Sequence, residues 1–116
     1  MRCLLTHGHY DHFGGMVGFL AANGKTLKPD LPFYLGGEEC FCTRETGPEA
    51  AALSFGELDR KAIANAGVRV LFADRPSNLL DHGFTTGYIP QVSFEKPGQT
   101  TRMKVGLQAD GMGCAP

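Results

Sequence analysis

The sequence predicts an α/β layered fold, and three observations carry that expectation. Short apolar runs at residues 2–6, 31–35 and 68–72 have the length of buried strands. Between them lie two segments whose apolar residues recur at helical spacing. Strand, helix, strand, helix and strand therefore alternate over the first two thirds of the chain. The whole chain has 116 residues, enough for one small domain that buries most of its apolar surface.

The elements follow in order. Residues 2–6 form an apolar strand that ends in a cluster of His, Gly and Asp, so its carboxyl end is delivered into a loop of chemical interest. Over residues 14–22 the spacing of Met16, Val17 and Leu20 suits one helix face, and Asn23-Gly24 supplies the stop. Gly14, Gly15 and Gly18 weaken that helix, so close packing or backbone approach is expected to justify them. Lys28-Pro29-Asp30 is a turn, and residues 31–35 form a second strand that ends at Gly36-Gly37. Residues 38–47 resist assignment. Ser54 followed by Glu57 resembles a capping box, with Leu58, Ala62, Ile63 and Ala66 forming an apolar stripe up to a Gly67 cap. Residues 68–72 are the third strand, closed by Asp74-Arg75-Pro76. Further on, Tyr88-Ile89 and residues 92–95 read as short strands around Pro90, with turns at Gly83, Gly87 and Pro97-Gly98. No repeat or linker divides the chain.

Composition excludes several functions. Eleven basic residues face 12 acidic ones, for a net charge of -1, and no basic stripe suits a nucleic-acid partner. The longest clean apolar stretch, residues 16–22, is far too short to cross a membrane, and the N-terminus lacks the apolar core of a signal peptide. Four cysteines, Cys3, Cys40, Cys42 and Cys114, are few and irregularly spaced for a disulfide scaffold. A soluble, cytoplasmic chain with reduced thiols is expected. Glycine, at 16 residues, is about twice its usual share of ~7%.

The chemistry concentrates in His7-Gly8-His9-Tyr10-Asp11-His12, followed by Phe13-Gly14-Gly15. Three imidazoles and a carboxylate within six residues are the ligand types that hold Zn²⁺ and related divalent metals. In an extended or turn segment His7 and His9 point the same way, and Asp11 and His12 follow on the turn. Gly8 lets the loop curl tightly, and Gly14-Gly15 lets the helix start close beneath. A metal held there would lower the pKa of bound water towards about 7.

The motif resembles the signature of the metallo-β-lactamase-fold hydrolase superfamily. The resemblance implies an αββα sandwich with a site for one or two ions, most readily Zn²⁺, with Mn and Fe as alternatives. It implies that His7 and His9 ligate a first metal and Asp11 and His12 a second. Asp11 would also orient the attacking water or shuttle its proton, which makes it the candidate catalytic residue. Thr86-Gly87-Tyr88-Ile89-Pro90, with Phe94-Glu95 following and Gly36-Gly37-Glu38-Glu39-Cys40 before, is similar to the dihydropterin–ribofuranosylaminobenzene phosphate synthase-like branch. That branch uses its metals for a condensation, so two reaction types stay open; the substrate is a polar, phosphorylated or pterin-like small molecule. The superfamily also supplies a third His on a later strand, a bridging acid and a further His. Downstream of the motif this chain has one more histidine, His82, in a turn that suits a solvated residue better than a ligand. On this reading residues 1–116 are a single partial domain, lacking strands on both sides, from a larger enzyme. The alternative is a non-catalytic metal-binding or interaction module.

Weaker candidates have bland readings. Cys40-Phe41-Cys42 fits the usual zinc spacings poorly, so inert, buried cysteines are expected. Glu38-Glu39 suits an exposed helix start better than a pocket acid or base. Phe13-Gly14-Gly15 lacks the Lys-Ser/Thr of a phosphate loop. Lys96, Arg102 and Lys104 suit a solvated face, with contact to an anionic substrate as the sharper reading.

Overall fold

A computed structural model of the chain describes residues 1–95, 101–109 and 111–114. Along the chain run β1 (Cys3–Leu4), α1 (Tyr10–Phe13), α2 (Met16–Asn23), β2 (Pro32–Leu35), a 3₁₀ turn (Glu38–Phe41), β3 (Arg44–Thr46) and β4 (Leu53–Ser54). There follow α3 (Arg60–Asn65), β5 (Arg69–Phe72), β6 (Ser77–Leu80), β7 (Gly83–Thr85), β8 (Arg102–Met103), β9 (Val105–Gln108) and β10 (Gly111–Cys114). The fold is mixed α/β, with small sheets and few helices.

The alternating first part assembles as expected. β1, β2 and β5 form a parallel sheet in that order, with Cys3 opposite Phe33, Phe33 opposite Val70 and Leu35 opposite Phe72. Parallel neighbours require crossover segments, and α2 and α3 sit in those crossovers. Strand alternation sends Phe33 and Leu35 to one face, where they meet Leu20 of α2 and Ile63 of α3. Leu35, Ile63, Phe33 and Leu58 are almost completely buried. Each such side chain contributes roughly 1.5–3 kcal/mol relative to exposure, so this layer is what holds the sheet and helices together.

The other face of the sheet carries Leu4, Tyr34 and Leu71, none of them fully buried. An αββα sandwich would bury that face under a second sheet. The described strands instead form a three-stranded β4-β3-β8 sheet and two separate hairpins, β6-β7 and β9-β10. The structure does not show a metallo-β-lactamase fold.

Local departures have local causes. α3 is capped by Asp59, whose carboxylate accepts from Ala62 N–H at 3.0 Å, while Ser54 lies in β4. The Ser54–Glu57 box is therefore a correction: a better cap stood five residues later. Gly67 does end the helix, with φ of +73° and its N–H on the Ala64 carbonyl. A Cβ at Gly14 would lie 2.8 Å from the Tyr10 carbonyl oxygen, a close approach as expected, whereas Gly15 and Gly18 have nothing within 4 Å of a would-be Cβ, so neither packing nor backbone approach accounts for them.

Tyr88-Ile89 and residues 92–95 do not form strands. Pro90 cannot donate to a ladder, and Gly87, at φ +72°, turns the chain onto the Asp74–Arg75 backbone. A Cβ at Gly87 would lie 2.6 Å from the Arg75 backbone, so the turn requires glycine. The strands of this part of the chain are β6 and β7, which precede those residues. Lys96 and the Pro97-Gly98 turn lie outside the described residues.

Cys42 and Cys114 form a disulfide, which corrects the expectation of reduced thiols. It ties β10 to the segment that follows the 3₁₀ turn. Cys40 is free and buried in the core, and Cys3 is free and half-buried. Among the described residues no helix is long and apolar enough to cross a membrane.

Candidate metal centre

The loop that follows β1 is fastened at both ends. Leu5 is buried and its N–H donates to the Tyr34 carbonyl at 2.9 Å, prolonging the β1-β2 ladder by one residue. Phe13, at the end of α1, is buried in the core. Between these anchors Thr6, His7, Gly8 and His9 cross the carboxyl end of the sheet. His9 is the N-cap residue of α1: its backbone is extended and its carbonyl accepts from His12 and Phe13 N–H. The core thus holds the ends while the polar side chains project outward.

Gly8 is the buried point of the loop. Its carbonyl accepts from Arg44 Nε at 3.2 Å. A Cβ there would come to 3.0 Å from Cys40 Cα and 3.1 Å from Arg44 Nη2. Its φ is not left-handed. The glycine therefore serves close approach to the 3₁₀ turn, and not the tight curl that the sequence suggests.

His7, His9 and Asp11 each offer one ligand atom, and the three atoms lie within 4.8 Å of one another. Two ligand atoms on a tetrahedral zinc at ~2.05 Å are about 3.3 Å apart. The widest separation must therefore close by up to about 1.5 Å, a side-chain rotation within reach of exposed His7 and Asp11. His9 is half-buried and is the fixed member.

His12 is not a member of this group. Its Nε2 stands 3.6 Å from Asp11 Oδ2 and its ring lies 3.9 Å from that of His7, centroid to centroid. The Thr6 hydroxyl links the two rings, at 3.1 Å from His7 Nδ1 and 3.2 Å from His12 Nδ1. One hydroxyl has one proton to give, so with both rings neutral at least one must carry its own proton on Nδ1. That ring then presents a free Nε2 lone pair, the form a metal needs. His9 Nε2 lies 3.2 Å from the Thr101 hydroxyl.

The electrostatics favour a neutral His7 ring. The His7 pKa is lowered from the ordinary imidazole value, first by desolvation and then by charge on His12 and His9. Arg44 adds to the lowering and Asp11 opposes it. An imidazole that sheds its proton readily is prepared for a cation.

Other candidates fall away from this cluster. His82 is exposed in the turn between β6 and β7 and does not join the group. Glu38 and Glu39 start the 3₁₀ turn; Glu38 pairs with Arg60, whose guanidinium also covers the Phe41 ring at 3.8 Å. Arg102 and Lys104 are exposed, and the Arg102 guanidinium donates to the Gly47 carbonyl at 2.6 Å.

Sequence reasoning missed four residues that shape the site: Thr6, Arg44, Phe55 and Thr101. Thr6 was open to detection as a hydroxyl adjoining the first His. The others reach the site only through the β3-β4-β8 sheet, which no local periodicity announces. With His9, Tyr10 and Asp11, residues Arg44, Phe55 and Thr101 line a cavity of about 300 Å³. Comparison of the chain with protein-family models, curated proteins and solved structures found no match.

Proposed function

We propose that the chain binds one divalent metal ion, most readily Zn²⁺, through His7, His9 and Asp11. We further propose that the protein is a metal-dependent hydrolase acting on a polar small molecule. The observation that carries the first step is the meeting of two imidazoles and one carboxylate within 4.8 Å at the carboxyl end of a strand. Three protein ligands with one position open is the count typical of catalytic zinc; structural sites are closed by four. The ion would supply Lewis acidity and a water acidic enough to ionise near neutral pH.

The remaining roles belong to the chain. Thr6 fixes imidazole tautomers through Nδ1. His12 stands beside Asp11, its Nε2 3.6 Å from Asp11 Oδ2, as a candidate proton acceptor. The likeness of the His7-to-His12 run to metallo-β-lactamase-fold hydrolases supports hydrolysis as the reaction class; placement of the chain within such a sandwich is part of the same proposal.

The test is zinc content of the purified full chain after reconstitution and dialysis. About one equivalent is expected, falling below a tenth of an equivalent in His7→Ala/His9→Ala. Less than a tenth in the unaltered chain, or unchanged content in the double variant, would end the metal reading. Zinc bound at one equivalent without zinc-dependent hydrolysis of a panel of esters and phosphoesters would favour the non-catalytic module.

A further inference from the structure

The cavity beside the metal loop has a composition of its own. Strand register explains it. Glu45 lies opposite Ser54 and Thr46 opposite Leu53, so the ladder places Arg44 opposite Phe55. The Phe55 N–H donates to the Arg44 carbonyl at 2.8 Å, while the Arg44 N–H donates to the Gly56 carbonyl at 3.2 Å, so Phe55 and Gly56 together face Arg44 in a bulge. The cation and the aromatic ring line one cavity together. It closes against Tyr10 and Asp11 of α1 and against His9 and Thr101.

Arg44 is half-buried and pre-set. Nε donates to the Gly8 carbonyl, and Nη2 leans on the Glu39 carbonyl at 3.5 Å. Nη1 has no hydrogen-bond partner, and Arg44 no ion pair, among the described residues. A guanidinium held by backbone carbonyls and unmatched by a carboxylate offers its outer fork to an anion. Phe55 and Tyr10 stay about half exposed, at 41% and 56%, which leaves their rings free for a ligand.

We propose that this cavity is the recognition pocket for a small organic anion, a single carboxylate or phosphate group on a flat apolar body. Arg44 receives the anionic group and Phe55 and Tyr10 flank the body. The volume, about 300 Å³, suits a ligand of one or two rings. Asp11 shares the wall and repels an anion while its charge is bare. As a substrate pocket this rests on the metal reading above; as an anion pocket it does not.

The test uses the metal-free full chain and follows binding by NMR shifts. The probes are benzoate, phenylphosphonate and the neutral analogue benzyl alcohol; whichever anion binds tighter identifies carboxylate or phosphate as the group recognised. Either anion is expected to bind at least tenfold tighter than benzyl alcohol. Arg44→Gln should weaken the anions tenfold or more and leave benzyl alcohol unchanged. Phe55→Ala should weaken all three, and Asp11→Asn should tighten the anions. If Arg44→Gln loses secondary structure by circular dichroism, Phe55→Ala and Asp11→Asn decide, since both side chains are exposed. Benzyl alcohol binding as tightly as benzoate, or Phe55→Ala and Asp11→Asn both without effect, would overturn the proposal. Zinc uptake without anion binding also overturns it; anion binding without zinc uptake upholds it and removes the metal reading instead.

Discussion

Gly8→Ala isolates the link between loop packing and the metal centre. The added methyl would sit 3.0 Å from Cys40 Cα, 3.1 Å from Arg44 Nη2 and 3.4 Å from the Cys40 carbonyl oxygen. Favourable carbon contacts begin near 3.5 Å, so the overlap is about half an ångström. The guanidinium end can swing away. Cys40 cannot, because it is 3% exposed and part of the core. Nor does the backbone at Gly8 forbid alanine, since its φ is not positive. The cost is therefore contact alone, about 1–3 kcal/mol for overpacking a filled site.

That cost has two outlets. The loop can stay in place and the protein lose stability, or the loop can lift and the ligands separate. Metal–ligand distances tolerate only about ±0.2 Å, so a lift of half an ångström is felt. The sum of the two losses should reach about 1–3 kcal/mol. If all of it falls on the ligands, zinc affinity drops about 5- to 150-fold, at 1.4 kcal/mol per tenfold. Chelator-competition titration measures the affinity, and urea unfolding of the zinc-free chain measures the stability. Gly15→Ala is the matched control, because nothing lies within 4 Å of its would-be Cβ. Gly8→Ala indistinguishable from Gly15→Ala in both assays would refute the packing argument.

Three further predictions address the site and its supports. His12→Ala should retain about one equivalent of zinc with affinity within tenfold of the unaltered chain, whereas His9→Ala should lose it; equal losses would show that His12 ligates directly. Cys114→Ser opens a loop with a sequence separation of 72. Chain entropy puts that loss at up to roughly 4 kcal/mol, and urea unfolding with and without a dithiol reductant reads it, an unchanged midpoint counting against the tie. In the metal-free chain the His7 imidazole should titrate below the ordinary value, because burial and the neighbouring imidazoles disfavour its charge. Its contribution to stability is then fully present above the unfolded imidazole pKa and lost as pH falls through the lower folded value, and zinc affinity declines in the same direction. Proton NMR of the ring follows it, and a midpoint at or above the ordinary value contradicts the cause assigned.

What could be read from the sequence was what depends on neighbours along the chain. Residues 31–35 alternate in burial as a strand must, and Ile63 of α3 packs into the core with Leu58 and Ala66 just beyond its two ends, so β2 and α3 were legible. The His7-His9-Asp11 group, which could hold a metal ion, was legible because its members lie within five residues of one another. The α3 cap was missed because Ser54 and Asp59 are both acceptable caps locally, and the choice fell to β3 pairing with Ser54. The disulfide joins residues 72 apart and leaves no local trace. Arg44 and Phe55 became neighbours through a hairpin of three- and two-residue strands, too short to show a period.

The difference between four candidate ligands and three has a geometric origin. Read as an extended or turn segment, the motif points His7 and His9 the same way, with Asp11 and His12 following on the turn. The structure starts a helix at Tyr10, with His9 as its cap, so Asp11 and His12 are successive helical residues. Such residues project about 100° apart and do not face a common point. His12 sits on Thr6 and against the His7 ring, with its Nε2 3.6 Å from Asp11 Oδ2, so it borders the group without joining it. His7 and His9 escape the constraint because they precede the helix. Early helix initiation thus converts a run of ligands into a three-donor group flanked by one free imidazole. Phe13 enforces that start by anchoring α1 in the core, so the apolar residue that closes the motif also decides which of its polar residues meet.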